Sequence, residues 1–115
     1  MSVTILHNPR CSKSRQTLAL LQEQGVEPEV REYLKQPLST SELEQLLSKL
    51  GVEAKLLVRN KEEEFKATGL DIKTASAQEL IAAIAETPKL MERPVVITEK
   101  GARIGRPPEQ VLEVL

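Results

Sequence analysis

The stretch "VTILHNPRCSKSRQTLALLQEQG", residues 3–25, decides the fold. It opens as a β-prone apolar run to His7 and breaks at the turn signal Asn8-Pro9. It then continues as a helical segment in which Leu18 and Leu21 share a face and Gly25 suits the position just past the end. A strand running straight into a helix is the first half of a β-α-β unit, which allows the next strand to lie parallel to the first. The connecting turn holds the only cysteine, Cys11, four residues after the only histidine, His7. No Asp or Glu occurs before Glu23, whereas Arg10, Lys13 and Arg15 all fall in that span.

Outward from this unit, "VEPEVREYL" alternates as a second strand, with Pro28 at its start. In "STSELEQLLSKLG", Ser39 and Glu42 have capping-box spacing, and Leu43, Leu46, Leu47 and Leu50 follow helical periodicity to Gly51. The same spacing, Ser76 with Glu79, opens "AQELIAAIAETP", which Pro88 terminates. One or two short helices are predicted between them, where the acidic run reads as a solvated face. "RPVVITEKG" and "ARIGR" read as a strand, a turn at Lys100–Gly101 and a return strand. The final "PPEQVLEVL" reads as a short helix begun by prolines, with Val111, Leu112 and Leu115 inward. The expected class is α/β: one domain over residues 1–115 with a thioredoxin-like β-α-β…β-β-α core and a helical insertion at about residues 39–88.

Composition narrows the function. With 115 residues, 40% hydrophobic and 29% charged, the chain can bury one core without cross-links. No apolar run approaches the roughly 20 residues that span a bilayer, and the amino terminus lacks a signal-peptide pattern, so the expected location is the cytoplasm with no membrane partner. One Cys and one His cannot supply the usual ligands of a zinc site, so no metal is expected. An aromatic content of 2% and a net charge of −1 argue against nucleic acid. The cations gather at the two ends, however: Arg93, Lys100, Arg103 and Arg106 near the carboxyl terminus face only Glu99 in the same stretch, and if the ends meet they form a basic pocket.

Only the thiolate attacks electrophiles, and at pH 7 an ordinary cysteine is about 3% thiolate. The neighbouring cations and the start of the following helix both favour the anion at Cys11, and Ser12 or, better placed, Ser14 could donate a hydrogen bond to the sulfur. The alternative is an inert core cysteine, against which the polar neighbours Arg10, Ser12 and Lys13 argue. His7 is either a catalytic partner or a cap on the sheet. No carboxylate in the loop orients it as a hydrolase triad requires, and Arg15 lies four residues after Cys11 and not at the spacing of a C-x5-R phosphatase loop.

The motifs "HNPRCSKSR", "LLVRNKEEEFKATGL", "ERPVVI" and "RIGRPPEQVL", in this order across nearly the whole chain, resemble the glutaredoxin-dependent arsenate reductases of the ArsC family. The resemblance implies a nucleophile at Cys11, anion-binding arginines at Arg59, Arg93 and Arg106, and His7 and Ser14 as modulators of the thiol pKa. It also implies a cis peptide before Pro94. Arsenate is the implied substrate, with glutathione as cosubstrate, glutaredoxin as partner, no bound cofactor and a monomeric protein active in arsenical resistance. Cys11 would attack arsenic, glutathione would attack the adduct, and a further external thiol would release arsenite and leave Cys11 in a mixed disulfide. With no second cysteine, the reducing equivalents must come from outside. Ser12 and Lys13 stand where well-studied members carry a Gly-Thr pair. Two other functions remain open: a thiol-switch regulator resembling the Spx proteins, disfavoured because residues 11–14 read C-S-K-S and not C-x-x-C, and a general glutathionyl-transfer protein.

Overall fold

The structure is a computed structural model that describes residues 2–115. The chain divides into two compact units, one running to Gln36 and resuming at Arg93–Leu115, the other Pro37–Glu92.

The first unit is built on a four-stranded sheet. Strand β1 (Thr4–Leu6) leads into helix α1 (Ser12–Glu23) and on to β2 (Glu29–Arg31). After the second unit the chain returns as β3 (Val95–Thr98) and β4 (Gly101–Ile104) and ends in a 3-10 helix, Pro108–Val114. The strand order is β2-β1-β3-β4, with β1 and β2 parallel and the other pairings antiparallel. This is the thioredoxin-like arrangement expected. The helix between β1 and β2 is what permits their parallel pairing, since parallel strands need a long crossover.

One face of the sheet carries Ile5 opposite Val96, both fully buried, and onto it pack Leu21 of α1 and Val111 and Val114 of the 3-10 helix. Burial of each such side chain stabilises by roughly 1.5–3 kcal/mol. On the opposite face Leu6 pairs with Val95, and these are buried too.

Three local expectations need correction. The second strand covers only Glu29–Arg31, because Glu32 to Gln36 turn, with Lys35 and Gln36 N–H groups both donating to the carbonyl of Glu32. The hairpin turns at Glu99–Lys100, since Gly101 pairs with Thr98 and already belongs to β4. The last helix has 3-10 geometry, whose three residues per turn bring Val111 and Val114 inward and leave Leu112 39% exposed. The Thr98 hydroxyl fastens that helix to the sheet by donating to the Val114 carbonyl at 2.6 Å.

The second unit is helical. Helices α2 (Thr40–Leu50) and α4 (Ala77–Glu86) pack together, with the short α3 (Glu63–Ala67) and two single-turn 3-10 segments between and after them. Both predicted capping boxes form: the Ser39 and Ser76 hydroxyls accept from the N–H groups of Glu42 and Glu79, whose carboxylates accept from the serine N–H groups in return. Gly51 ends α2 at φ +68, a left-handed cap that costs glycine least. Leu43, Leu46 and Leu50 of α2 are buried with Leu80, Ile81 and Ile84 of α4. Among the described residues no helix is long and apolar enough to cross a membrane.

Candidate active site

Cys11 occupies the N-cap of α1, where an oxygen-bearing residue ordinarily stands. The turn before it is organised by Asn8. The Asn8 carbonyl accepts from the Cys11 N–H at 3.0 Å, its side-chain oxygen from the Arg10 N–H at 3.0 Å, and its own N–H donates to the Ser14 hydroxyl at 3.0 Å. Cys11 is nearly buried, at 9% exposure, so the expectation that its polar neighbours keep it at the surface fails. Polar groups themselves enclose the sulfur.

Burial, the largest influence, pushes the Cys11 thiol pKa up. The Ser14 N–H, the Arg93 guanidinium, the Lys13 N–H and the Arg106 guanidinium oppose it, and together they hold the thiol below its ordinary value. Arg106 Nη2 lies 3.7 Å from Sγ. Sulfur is a large, weak acceptor, so no cap hydrogen bond of ordinary form is made; the first-turn N–H groups act on it electrostatically.

The thiol is thus depressed as expected, and the start of α1 acts on it as expected, but the charges that help are not the expected ones. The charges that act most on the sulfur are those of Arg93 and Arg106, and not the side chains of the three loop cations. Arg15 turns back and donates from Nη1 to the Pro9 carbonyl at 2.9 Å. Nor does the Ser14 hydroxyl reach the sulfur: it lies 2.6 Å from His7 Nδ1 and accepts from Asn8, and it is the Ser14 backbone that serves Cys11. His7 is 6% exposed, and burial is the main cause lowering its pKa, against Glu32, which raises it, and with Arg15, which lowers it further. A neutral ring is therefore favoured.

The two arginines beside the sulfur each precede a proline, and the Arg93-Pro94 and Arg106-Pro107 peptides are both cis. Only the first was expected. Arg106 is tied to its counterpart by a hydrogen bond from Nε to the Arg93 carbonyl at 2.8 Å. Cys11, His7, Ser14, Arg93 and Arg106 all belong to the first unit. Arg59 belongs to the second, where its Nη2 pairs with Glu62 at 2.7 Å and Lys89 joins Glu62 and Glu64 in the same network. Among the described residues no cluster of three His, Cys, Asp or Glu could hold a metal ion.

A thiolate held against two guanidinium groups suits attack on a tetrahedral oxyanion, since the same cations that stabilise the sulfur can hold the anion's oxygens. The sequence pattern of the ArsC family matches residues 6–114, a span that includes all of these groups. The chain belongs to the ArsC family. Its similarity to other proteins runs end to end. It is 54% identical over 114 residues to the "Uncharacterized protein YfgD" of Escherichia coli (strain K12), covering 98% of this chain and 96% of that one. It is 48% identical over 116 residues to an arsenate reductase of Haemophilus influenzae, covering 100% of both. The solved structure of an arsenate reductase from Vibrio cholerae matches with a TM-score of 0.95 and 52% identity, covering 100% of this chain and 98% of that one.

Sequence reasoning passed over Asn8, Thr17 and Gly105 in this ArsC chain. Asn8 was legible as part of a turn signal, though its three hydrogen bonds were not. Thr17 is fully buried on α1 and donates to the Lys13 carbonyl at 2.8 Å, and Gly105 packs against it.

Proposed function

We propose that this protein reduces arsenate to arsenite through the thiolate of Cys11, with glutathione and glutaredoxin supplying the electrons. The observation that carries the reading is the 3.7 Å approach of Arg106 to a sulfur whose pKa is held down, in a chain closely similar to proteins named arsenate reductase.

In the proposed sequence Arg93 and Arg106 hold the arsenate oxygens while Sγ forms a bond to arsenic and one oxygen leaves, protonated, as water. A single glutathione thiolate, in place of the two successive external thiols that the resemblance implies, then attacks Sγ. The electron pair of the sulfur–arsenic bond passes to arsenic, which leaves as arsenite, and Cys11 and glutathione are left joined in a disulfide. Two thiols have given one electron each, which balances the two-electron reduction. Glutaredoxin removes the glutathione by thiol–disulfide exchange and restores Cys11. His7 takes part by pairing with the buried Ser14 hydroxyl, which stabilises the turn that carries Cys11. Arg59 enters this reading by family resemblance alone.

The test is arsenite production by the purified protein with arsenate, glutathione and glutaredoxin. Without glutaredoxin, one round is expected to leave a single glutathione on Cys11 by mass spectrometry, and Cys11→Ser is expected to make no arsenite. Unimpaired cycling with glutathione rigorously absent overturns the mechanism, and glutathionylation with no arsenite released assigns the site to glutathionyl transfer instead.

A further inference from the structure

Gly105 joins the end of β4 to Arg106, and its surroundings leave no room for a side chain. A Cβ at this position would lie 2.7 Å from Thr17 Oγ1, 2.9 Å from Pro94 Cγ and 3.3 Å from Thr17 Cγ2. None of these atoms is free to withdraw. Thr17 is fully buried, and its hydroxyl is engaged with the Lys13 carbonyl at 2.8 Å. Pro94 is buried, and its carbonyl accepts the Gly105 N–H at 2.9 Å, which ties the two segments together.

We propose that Gly105 is a positioning residue: its missing side chain lets the segment after β4 seat directly on Thr17 and Pro94, which places the Arg106 guanidinium against the sulfur of Cys11. The demand on Gly105 is for space. The strap it forms brings together the first turn of α1, where Thr17 grips Lys13, and the Arg93-Pro94 segment, to which Arg106 Nε is bonded at 2.8 Å. A Cβ would push this segment outward by about 0.7 Å to reach ordinary contact, and Arg106 Nη2 would retreat from its 3.7 Å approach by a similar distance.

The inference rests on Cys11 as the nucleophile of the proposed reaction, but its readout, thiolate absorbance against pH, needs no arsenate. At an effective dielectric constant of about 20, a retreat of that size lowers the thiolate-to-thiol ratio at fixed pH on the order of threefold. Gly105→Ala is therefore expected to move the Cys11 titration upward. Arg106→Ala is expected to move it further, and in the Arg106→Ala background the glycine substitution is expected to do nothing more. A general loosening of the loop would shift the titration in both backgrounds, and that result overturns the proposal, as does a folded Gly105→Ala protein with an unchanged titration. If Gly105→Ala does not fold, the pair Gly105→Ala with Thr17→Ala, which leaves only the clash with Pro94 Cγ, is titrated in the same two backgrounds; an upward move smaller than that of Arg106→Ala and absent from the Arg106→Ala background is expected, and a shift in both backgrounds or in neither overturns the proposal. Failure of both to fold makes Gly105 a packing residue only and refutes its role at the sulfur. Absence of arsenite production by the unaltered protein would sink the proposed function and leave the thiolate result standing.

Discussion

Replacing Ser14 with alanine separates two contributions that the residue makes to the site. The hydroxyl is fully buried, lies 2.6 Å from His7 Nδ1 and accepts the Asn8 N–H at 3.0 Å. Its removal leaves a buried ring nitrogen and a backbone donor without their partner, which costs about 1–3 kcal/mol for the donor and about 1 kcal/mol for the contact to the ring. The sum is about 2–4 kcal/mol. A chain of 115 residues has an unfolding entropy that makes 1 kcal/mol roughly 4 °C, so the melting temperature is expected to fall by roughly 8–16 °C. The Ser14 N–H, which faces the sulfur, is untouched by the substitution. Thiolate absorbance is therefore expected to titrate within about twofold of the unaltered protein at any fixed pH, because no donor to the sulfur has been removed. Calorimetry and an ultraviolet titration on the same sample measure both quantities. An upward move of the titration as large as that of Arg106→Ala, with the melting temperature unchanged, would refute the reasoning and put the hydroxyl on the sulfur.

Arg93→Ala and Arg106→Ala are each expected to cost about 2–4 kcal/mol of transition-state stabilisation, roughly 30- to 1,000-fold in kcat/KM for arsenate, as loss of a preorganised charge does elsewhere; Arg59→Ala tests the arginine that resemblance adds, and full turnover there removes it from the site. The Cys11 pKa is lowered in the folded protein, so the thiolate stabilises the fold above the ordinary cysteine value and this contribution is lost as pH falls through the folded pKa. Denaturation of the unaltered protein and of Cys11→Ala across that window is expected to show the difference growing with pH, and a difference independent of pH counts against a stabilised thiolate. For His7, also lowered, the neutral ring is favoured: its contribution is complete above the ordinary histidine value and declines as pH falls from there through the folded pKa. His7→Gln is expected to flatten the stability profile in mild acid, which urea titrations at several pH values would detect.

The parts of the fold that local chemistry determines could be read from the chain. Ser39 with Glu42 and Ser76 with Glu79 announce their helices because a capping box satisfies its N–H groups within four residues. The strand-turn-helix around Cys11 is local in the same sense. The last helix was harder, since choosing between α and 3-10 geometry depends on whether Leu112 or Val114 faces the sheet, a matter settled by Thr98 and the core it closes. At the site, the thiol, its lowered pKa and the part played by the helix start were legible, but the charges were misplaced. Charges close in sequence, at residues 10, 13 and 15, were credited with what Arg93 and Arg106 do from the other end of the chain. Side-chain direction is not written in spacing: Arg15 could point at Cys11 or at Pro9, and the carbonyl of Pro9 captures it. Gly105 was passed over because its neighbours, Thr17 and Pro94, are distant in sequence.

Because Cys11 stands at the N-cap of α1 with no oxygen cap in its place, the sulfur, the reacting atom of the proposed mechanism, is also the group toward which the helix's opening N–H donors turn. Every step that changes its charge also changes how firmly the helix begins. The anion quiets the donors of Lys13 and Ser14; a bond to arsenic or to another sulfur takes that charge away and leaves the first turn facing a neutral atom. In the proposed mechanism, backbone amide exchange at those two residues would be slower in the thiolate than in the thiol or in either covalent intermediate, so that the helix start records the charge on one sulfur.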